Sequence, residues 1–313
     1  MIIVLPALAR PLLEPHLPAD AEVRWFASAE DAYAMAPGAE VGWLDMQVPQ
    51  NTGRAIELGG SLKLVTTIYA GINSFPLQAM KARGTKLTNG VGINTNAVAE
   101  YAVLGMLALA KGYPEVVRAA DRREWLRDSP GKVELQDSRA LIIGYGAIGR
   151  RIAEILGGFG VHVTGVRRSP SDEPDMLGPD DWRPRLGEFD WVIVAAPATS
   201  ETAHLIGTDE LAAMKPSAFL VNIARGTLID QDALIEALQS RRIAGAHLDV
   251  TDPEPLSADH PLWDAPNALV TMHLSGRAQT RMYQRAAQLF LDNLARYRAG
   301  KPLINEVDLD LGY

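Results

Sequence analysis

Three ionisable side chains in the second half of the chain have types and positions suited to carbonyl chemistry. Arg225 follows the apolar run SAFLVNI, Glu254 follows AGAHLDV, and His273 ends the run ALVTMH. Each run is typical of a buried strand, and the carboxyl ends of parallel strands line one crevice, so the three side chains can converge. His273 could donate a proton to a carbonyl oxygen, Glu254 could orient and charge the imidazole, and Arg225 could bind a carboxylate. This set predicts hydride transfer to a carbonyl that lies next to a carboxylate.

Each of these residues also has a structural interpretation. A histidine after a strand can be a satisfied structural residue, and an Asp-Pro-Glu-Pro turn can be a surface loop. Arg225 before Gly226 can be a charge at a strand end. The order of the three residues, and their position behind a glycine-rich turn, favour the catalytic interpretation.

The glycine-rich turn lies in LIIGYGAIGRRIAEIL, directly after a predicted strand and at the start of a predicted helix. Gly144 would permit the tight turn, Gly146 the approach of a pyrophosphate, and Gly149 the packing of helix on strand. The free N–H groups of the helix N-terminus would bind the phosphates. We therefore predict a dinucleotide site that comprises Gly144, Tyr145, Gly146, Ala147, Ile148 and Gly149. The alternative is a glycine-rich turn that binds no nucleotide.

The end of the next predicted strand indicates which dinucleotide is preferred. An enzyme of this type that prefers NAD places an acidic residue there for the ribose hydroxyls. This chain instead has Arg167, Arg168 and Ser169, with no acid before Asp172. Two guanidinium groups and a hydroxyl suit a 2′-phosphate, so we predict NADPH as the preferred cofactor, with NADH as a possible one. The alternative is an exposed basic turn.

Alternating apolar runs and helical patterns place these residues in an α/β fold. The runs MIIVL, AEVRWF, EVGWL, LKLVTTIYAG and TKLTNG predict strands in the first third, and six more are predicted from RALIIG to ALVTMH. An apolar helix covers NAVAEYAVLGMLALAKGY, and the polar stretch 114–137 is predicted to be an arm or loop. Thr208 and Asp230 are predicted helix N-caps, and a final helix is predicted at about 278–298.

Composition limits the classes of function. A chain of 313 residues, 47% hydrophobic, is long enough for two domains, and the net charge of −8 argues against nucleic acid and anionic membranes as partners. Because cysteine is absent, disulfides, zinc–thiolate sites and thiol catalysis are excluded, and we expect no metal site. We interpret Ile2–Leu5 as a buried strand rather than a signal peptide, and no apolar stretch is long enough to span a bilayer. A cytoplasmic location is expected.

Together these segments resemble the D-isomer-specific 2-hydroxyacid dehydrogenase family. The matching segments are GYGAIG at 144–149, NIARGTLID at 222–230, LDVTDPEPL at 248–256, HLSG at 273–276, GVGINTNAVAEYAV at 90–103 and YAGIN at 69–73. The resemblance implies two Rossmann-like α/β domains, each a doubly wound parallel sheet, with a cleft between them. Residues 1–93 and 279–313 would form the flavodoxin-like substrate domain, and 94–278 the NAD(P)-binding Rossmann domain. It also implies a homodimer built around the cofactor domain, with 114–137 as a candidate arm.

The resemblance assigns further residues to the site. Arg225, Glu254 and His273 correspond to the family's catalytic set. The backbone amides of Ala70, Gly71 and Ile72, next to Tyr69, would bind the substrate carboxylate. Further contacts with the cofactor are implied for Ala196, Pro197, Thr202, Ile223, Ala224, Asp249, Ser275 and Gly276.

Departures from the family pattern bear on the substrate. Asn73 stands where the family often has Asp, and Tyr69 is bulkier than the usual residue, which leaves the size of the substrate open. Glu254 argues against the related formate-oxidising enzymes, which use an amide partner for the histidine. Glyoxylate and hydroxypyruvate are the leading 2-oxo acid substrates, as in the branch that this chain resembles. The alternatives are a non-catalytic dinucleotide-sensing protein of the same fold, or a dehydrogenase for phosphite or a phosphorylated hydroxyacid.

Overall fold

The computed structural model describes residues 1–72, 74–168 and 175–310, and the chain divides into two compact units. Unit 1 combines Met1–Asn94 with Gln279–Tyr313, which is described up to residue 310. Unit 2 is the continuous segment Thr95–Ala278. Each unit is a Rossmann-like parallel sheet with its own cores, in agreement with the predicted fold class.

Within those described ranges, the strands are β1 (Ile2–Pro6), β2 (Glu22–Phe26), β3 (Val41–Gly42), β4 (Leu64–Thr66), β5 (Lys86–Thr88), β6 (Arg139–Ile143), β7 (His162–Val166), β8 (Met176–Leu177), β9 (Trp191–Val194), β10 (Phe219–Asn222), β11 (Gly245–Leu248) and β12 (Ala268–Val270). The α-helices are α1 (Arg10–Leu13), α2 (Ala29–Met35), α3 (Pro49–Leu58), α4 (Leu77–Ala82), α5 (Thr95–Ala110), α6 (Tyr113–Asp121), α7 (Ala147–Gly157), α8 (Thr208–Ala213), α9 (Gln231–Gln239) and α10 (Met282–Arg298). Short 3-10 helices span Ala7–Ala9, Glu14–His16, Arg183–Glu188, Gly226–Leu228, Pro261–Asp264 and Ser275–Arg277. Every strand predicted from the apolar runs is present, and the short β8 is an addition.

Unit 1 contains a parallel sheet in the order β2-β1-β3-β4-β5. The inner strand β1 is the predicted first strand, and its Ile3, Val4 and Leu5 are fully buried. A strand covered on both faces needs a continuous apolar run of this kind. The sequence-based interpretation of Ile2–Leu5 as a buried strand is therefore confirmed.

The C-terminal segment completes unit 1. Phe290 of α10 packs against Trp43, with the two ring centroids 6.2 Å apart, and both side chains are buried. Beyond this helix, the backbone N–H of Val307 donates a hydrogen bond to the Leu87 carbonyl of β5, at 2.8 Å. The core of unit 1 thus combines side chains from both ends of the chain.

Unit 2 contains a parallel sheet in the order β12-β11-β10-β9-β6-β7-β8. The strand order reverses between β6 and β9. After β6 the chain adds β7 and β8 on one side, and it then returns to add β9 to β12 on the other side. In open α/β sheets, ligands bind outside the carboxyl ends of the strands at such a switch point. The turn after β6 and the loop after β9 meet there.

Both faces of this sheet are covered by helices. Successive side chains of a strand point to opposite faces, so neighbouring apolar residues enter different cores. Ile142 and Ile193 belong to the core formed with α5 and α7, whereas the neighbouring Leu141 and Val192 belong to the core formed with α8 and α9. In the part of the chain that the structure describes, no helix has the length and apolar character needed to cross a membrane.

Three local predictions need correction. The stretch 114–137 is not entirely a loop, because Pro114 lies in the first turn of α6, a position where proline is tolerated; residues 122–137 form no helix or strand. Gly207, rather than Thr208, precedes α8, and its N–H donates to Glu210. The final helix begins at Met282 and not at about 278, and a 3-10 turn at Ser275–Arg277 precedes it. The predicted N-cap Asp230 is confirmed, since its carboxylate accepts from Ala233 N at 3.1 Å.

Candidate functional site

The glycine-rich turn after β6 has the geometry that close approach to a ligand requires. Gly144 has φ +103°, and a Cβ on it would lie 2.4 Å from Ala196 N, in the loop after β9. A Cβ on Gly149 would lie 2.4 Å from the Gly144 carbonyl oxygen, so this position also excludes a side chain. By contrast, a Cβ on Gly146 would meet nothing within 4 Å among the described residues.

This open space at Gly146 adjoins the N-terminus of α7, which begins at the exposed Ala147. Two of the glycines thus allow the turn to pack closely, and the third leaves its backbone accessible, as a bound pyrophosphate would need. Tyr145 flanks the turn: its N–H donates to Val166 O at 3.0 Å, and its ring lies under the Arg150 guanidinium, 5.3 Å from ring centroid to Cζ. Ile148 is half-buried in the first turn of α7. The residues present therefore fit a dinucleotide.

The predicted ribose position lies directly after β7. Arg167 is half-buried there, and its N–H donates to Leu177 O of β8 at 3.1 Å, which fixes the backbone at this point. Arg168 is exposed, with its Nη2 3.8 Å from Glu201 Oε2. Ser169, the third predicted member, lies outside the described residues.

The loop after β9 carries Ala196, Pro197 and Thr202, the first two starting two residues after the strand ends. The Thr202 hydroxyl donates to the Pro197 carbonyl at 2.8 Å and accepts from Thr199 N, also at 2.8 Å. This side chain therefore closes the loop beside Gly144. Its hydroxyl has a structural role in addition to the predicted cofactor contact.

Arg225 follows β10 on a backbone that a buried asparagine shapes. Asn222 is fully buried, donates through Nδ2 to Arg225 O at 2.9 Å, and accepts from Ala224 N at 3.0 Å. Ile223 and Ala224 are buried, whereas Arg225 is exposed and donates through Nη1 to Ala224 O at 2.6 Å. Sequence reasoning missed Asn222, although a polar residue that ends an apolar run was a signal for it.

Glu254 and His273 form the closest ionisable pair of the predicted catalytic set. His273 Nδ1 lies 2.8 Å from Glu254 Oε2, and the other carboxylate oxygen of Glu254 accepts from Thr251 N at 3.1 Å. Burial raises the pKa of the Glu254 carboxyl, but the hydrogen bond and charge of His273, the Thr251 N–H and the charge of Arg225 outweigh it, so this pKa lies below its usual value. The pair therefore has the polarity of a carboxylate that orients and charges an imidazole.

The loop after β12 presents His273 in an unusual backbone conformation. Met272 and His273 have φ values of +55° and +56°, a left-handed region that costs a non-glycine residue about 1–2 kcal/mol. Asp249, at the end of β11, is buried and holds this loop: Oδ1 accepts from Leu274 N at 3.1 Å and from Ser275 N at 3.3 Å. Ser275 is buried, and the half-buried Gly276 follows it. Asp249, predicted as a cofactor contact, is thus a structural anchor as well.

Arg225, Glu254 and His273 follow adjacent strands of unit 2, β10, β11 and β12, at the same edge of the sheet. Gly226 connects two of their loops, because a Cβ on it would lie 2.0 Å from the backbone of Thr251. The arrangement places an acid–base pair and a guanidinium after neighbouring strands, behind a glycine turn that fits a dinucleotide.

The predicted carboxylate-binding segment, Tyr69–Ile72, lies in unit 1. The amides of Ala70, Gly71 and Ile72 donate to no described residue, and Ile72 is buried. Tyr69 donates through its hydroxyl to Met46 O at 2.8 Å. Asn73, noted in the sequence as a departure, lies outside the described residues.

A partly buried carboxylate supports this segment. Asp45 accepts from Thr67 Oγ1 and from Ile68 N, both at 2.7 Å, and from Trp43 Nε1 at 2.8 Å. Burial raises the pKa of the Asp45 carboxyl to about 6 despite these three donors. Sequence reasoning did not identify Asp45, because it looks like a surface residue after a short strand.

Comparisons with known proteins bear on this site. Residues 103–275 match the family model described as D-isomer specific 2-hydroxyacid dehydrogenase, NAD binding domain. The glyoxylate reductase/hydroxypyruvate reductase of Homo sapiens is 33% identical over 258 residues, which cover 80% of this chain and 78% of the human one.

Two solved structures are similar over nearly the whole chain. A D-isomer specific 2-hydroxyacid dehydrogenase family protein from Aeromonas salmonicida has a TM-score of 0.88 at 29% identity and covers 99% of each chain. The NADPH-dependent glyoxylate/hydroxypyruvate reductase from Sinorhizobium meliloti, in complex with NADP and malonate, has a TM-score of 0.79 at 25% identity, with 98% of this chain and 97% of that one covered.

Proposed function

The chain belongs to the D-isomer specific 2-hydroxyacid dehydrogenase family of NAD(P)-dependent oxidoreductases, and from this premise we propose that it reduces glyoxylate, hydroxypyruvate or a similar small 2-oxo acid to the D-2-hydroxy acid, with NADPH as the preferred cofactor. The observation that carries the proposal is the 2.8 Å contact between His273 Nδ1 and Glu254 Oε2, after strands adjacent to the one that precedes Arg225.

Within this proposal His273 is the proton donor. Glu254 holds Nδ1, which leaves Nε2 to donate to the oxygen that gains negative charge during reduction. The negative charge of the Glu254 carboxylate also favours the protonated imidazole. Arg225 binds the substrate carboxylate and polarises the carbonyl, helped by the amides of Ala70, Gly71 and Ile72.

The bound cofactor supplies the hydride. The glycine turn from Gly144 to Gly149 binds its pyrophosphate, with α7 providing free N–H groups. Further contacts with the cofactor are proposed for Ala196, Pro197, Thr202, Ile223, Ala224, Asp249, Ser275 and Gly276. Asp249 acts here mainly by holding the loop that presents His273.

The preference for NADPH rests on Arg167 and Arg168. Both follow β7, where an acidic residue would bind the two ribose hydroxyls in an enzyme that prefers NADH. Charge-assisted hydrogen bonds from guanidinium groups favour a 2′-phosphate at this position, with Ser169 as a further donor. The NADPH-dependent relative from Sinorhizobium meliloti, described above, is consistent with such a preference.

The experiment that tests the proposal is a panel of 2-oxo acids assayed with NADPH and with NADH by absorbance of the reduced nicotinamide. We expect reduction of glyoxylate and hydroxypyruvate. Binding of NADPH without turnover of any 2-oxo acid would favour the dinucleotide-sensing alternative. Oxidation of phosphite or of a phosphorylated hydroxyacid, with the panel inactive, would favour the alternative dehydrogenases. Equal reduction of aldehydes that lack a carboxylate would contradict the proposed substrate class.

We also propose a homodimer formed through unit 2, in a cytoplasmic protein. Unit 2 exposes apolar side chains on α6 and the segment after it, where Tyr113, Val117 and Leu126 are partly exposed and Trp125 is 94% exposed. Exposed apolar side chains that lie near one another in the chain are a candidate protein–protein contact.

A further inference from the structure

A histidine that the proposed reaction does not use lies inside unit 2. His247, in the middle of β11, is fully buried, and its Nε2 lies 3.1 Å from Thr271 Oγ1. Thr271 follows β12 and lies two residues before His273. A buried imidazole at this point connects the interior of the sheet to the loop that presents the proposed proton donor.

His247, Thr271 and Asp249 form a series of hydrogen bonds. The direction of each bond follows from Asp249, because a carboxylate can only accept. The Thr271 hydroxyl donates its proton to Asp249 Oδ1 at 2.8 Å, so it can only accept from His247. His247 must therefore carry a proton on Nε2 and donate it. Its Nδ1 is buried and has no hydrogen-bond partner among the described residues.

Gly105 of α5 provides the space for this ring. A Cβ on Gly105 would lie 1.9 Å from His247 Nδ1, so no other residue fits there while the imidazole is present. Burial lowers the pKa of His247 to about 4, although the charge of Asp249 opposes this change. His247 is therefore a neutral donor with a single partner, rather than a buried cation.

The purely structural interpretation is that His247 only fills volume. An aliphatic side chain would fill the same volume without an unsatisfied buried nitrogen, which costs about 1–3 kcal/mol. The donated hydrogen bond offers a reason for this cost, because it fixes the rotamer of Thr271. The same Oδ1 of Asp249 that accepts from Thr271 also holds the amides of Leu274 and Ser275, on the far side of His273.

We propose that His247 and Thr271 are positioning residues for the proposed reaction: they orient the Asp249 carboxylate, which in turn holds the left-handed backbone that presents His273. This inference rests on the proposed function, since it assumes that His273 reacts. Neither residue touches substrate in this proposal. The effect reaches the reaction through the backbone of residues 273–275.

Paired variants separate this role from volume filling. Thr271→Val removes the hydroxyl but keeps the shape, whereas Thr271→Ser keeps the hydroxyl. His247→Leu removes the donor, whereas His247→Gln can place an amide N–H near the position of Nε2. Thr164→Val, at another buried threonine of the same sheet on β7, is the matched control.

Two readouts make the outcomes distinguishable. Hydrogen exchange of a peptide covering 271–278 reports whether the Leu274 and Ser275 amides remain held, and it needs no activity. Steady-state kinetics with a 2-oxo acid and NADPH report the consequence for turnover. We expect Thr271→Val and His247→Leu to raise exchange and to lower kcat by about ten- to a hundredfold, with KM for the 2-oxo acid within about twofold. Thr271→Ser, His247→Gln and Thr164→Val should remain near wild type in both measurements.

The inference is overturned if Thr271→Val leaves exchange and kcat unchanged, or if exchange rises while kcat stays the same. It is also overturned if Thr271→Ser loses as much as Thr271→Val. If His247→Leu does not fold, the Thr271 pair still decides. A wild type that reduces no 2-oxo acid refutes the proposed function, whereas the exchange experiment then still reports whether His247 and Thr271 hold the loop.

Discussion

His273 Nδ1 and Glu254 Oε2 lie 2.8 Å apart although nineteen residues separate them in the chain. Their contact forms because β11 and β12 are adjacent and parallel, so that the loops after both strands emerge at one edge of the sheet. The pair uses Nδ1 for orientation and leaves Nε2 as the nitrogen for proton transfer.

The pH profile of the reduction should depend on this pair. Glu254→Gln keeps the shape of the side chain but removes the negative charge that favours the protonated imidazole. Because the charge beside the proposed proton donor is then lost, the kcat/KM profile should move toward lower pH. A profile of kcat/KM for glyoxylate from pH 5 to 9 measures this shift.

His273→Ala is the companion variant. It should lower turnover by about 10²–10⁴-fold, the usual contribution of a general acid, with the Kd of NADPH nearly unchanged. Near-normal turnover of a folded His273→Ala protein, or an unchanged profile for Glu254→Gln, would refute the assigned roles.

Arg225 should be sensitive to the shape of its cation. Arg225→Lys keeps the charge but loses the planar fork that binds a carboxylate through two hydrogen bonds. Because such a bond contributes about 1.5–3 kcal/mol, kcat/KM for glyoxylate should fall about ten- to a hundredfold. Arg139→Lys, at the amino end of β6, is the control. Wild-type efficiency in Arg225→Lys would make Arg225 a structural residue.

The cofactor preference should be reversed by a change at two adjacent residues, Arg167 and Arg168. Wild type should favour NADPH over NADH by at least about tenfold in kcat/KM, the value of one charge-assisted hydrogen bond. Arg167→Asp with Arg168→Ala should reverse this preference, mainly through the KM for the cofactor, because the carboxylate repels a 2′-phosphate. Initial rates at saturating glyoxylate, with the concentration of NADPH or of NADH varied, give kcat/KM for each cofactor and so measure the preference.

A second arginine pair provides the control for this change. Arg241→Asp with Arg242→Ala alters the net charge equally but lies just before β11, at the amino end of the sheet. It should leave the preference unchanged. Equal use of NADPH and NADH by the wild type would return Arg167 and Arg168 to the interpretation as an exposed basic turn.

Asp45 should make stability depend on pH in a defined direction. Its pKa is about 6 in the folded protein and about 3.8 in the unfolded chain, so the folded state binds the proton more tightly. Its contribution to stability is therefore greatest at low pH and falls as pH rises through 6. Compared with Asp45→Asn, the wild type should lose about 1 kcal/mol of unfolding free energy between pH 5 and 7.

Denaturant unfolding of both proteins at the two pH values measures this loss. Asp31→Asn is the control, because hydrogen bonds from Ala27 N and from Ser28 lower the pKa of that exposed carboxyl and remove it from the pH window. Parallel stability curves for wild type and Asp45→Asn would contradict the raised pKa.

The proposed homodimer should depend on Trp125. Truncation of a central interface tryptophan costs about 2 kcal/mol or more, so Trp125→Ser should weaken the dimer by at least about thirtyfold. Light scattering after gel filtration should give twice the chain mass of 33.9 kDa for the wild type and a smaller value for the dilute variant. Leu8→Ser, at an exposed apolar residue of unit 1, should have no effect. A monomeric wild type would contradict the proposal.

The sequence predicts those features of the molecule that depend on local pattern. The strands follow from short apolar runs, the glycine turn from its spacing, and the convergence of Arg225, Glu254 and His273 from the rule that parallel strands end at one edge. The two-residue β8 escapes prediction because Met176–Leu177 is too short to form a pattern. Helix α6 escapes because only Ala119 of its nine residues is buried, so it has no apolar stripe facing a core.

Contacts between distant residues account for the rest of the site. Nothing in the sequence indicates that Gly226 packs on Thr251, or that Gly105 leaves space for His247, because each contact joins segments far apart in the chain. Asn222 and His247 are polar residues inside apolar runs, and their partners become visible only when the strands are aligned.

The construction of unit 1 from both ends of the chain has a consequence for biosynthesis. During translation, unit 2 is synthesised before α10. The apolar surface of β1 and Trp43, which Phe290 covers in the folded protein, is therefore exposed during that interval. The nascent N-terminal sheet must wait through the synthesis of nearly two hundred residues before the segment that seals it emerges. Bare apolar surface of this kind attracts other unfinished chains, so we expect the N-terminal ninety residues to be the part of the nascent protein that most needs a chaperone.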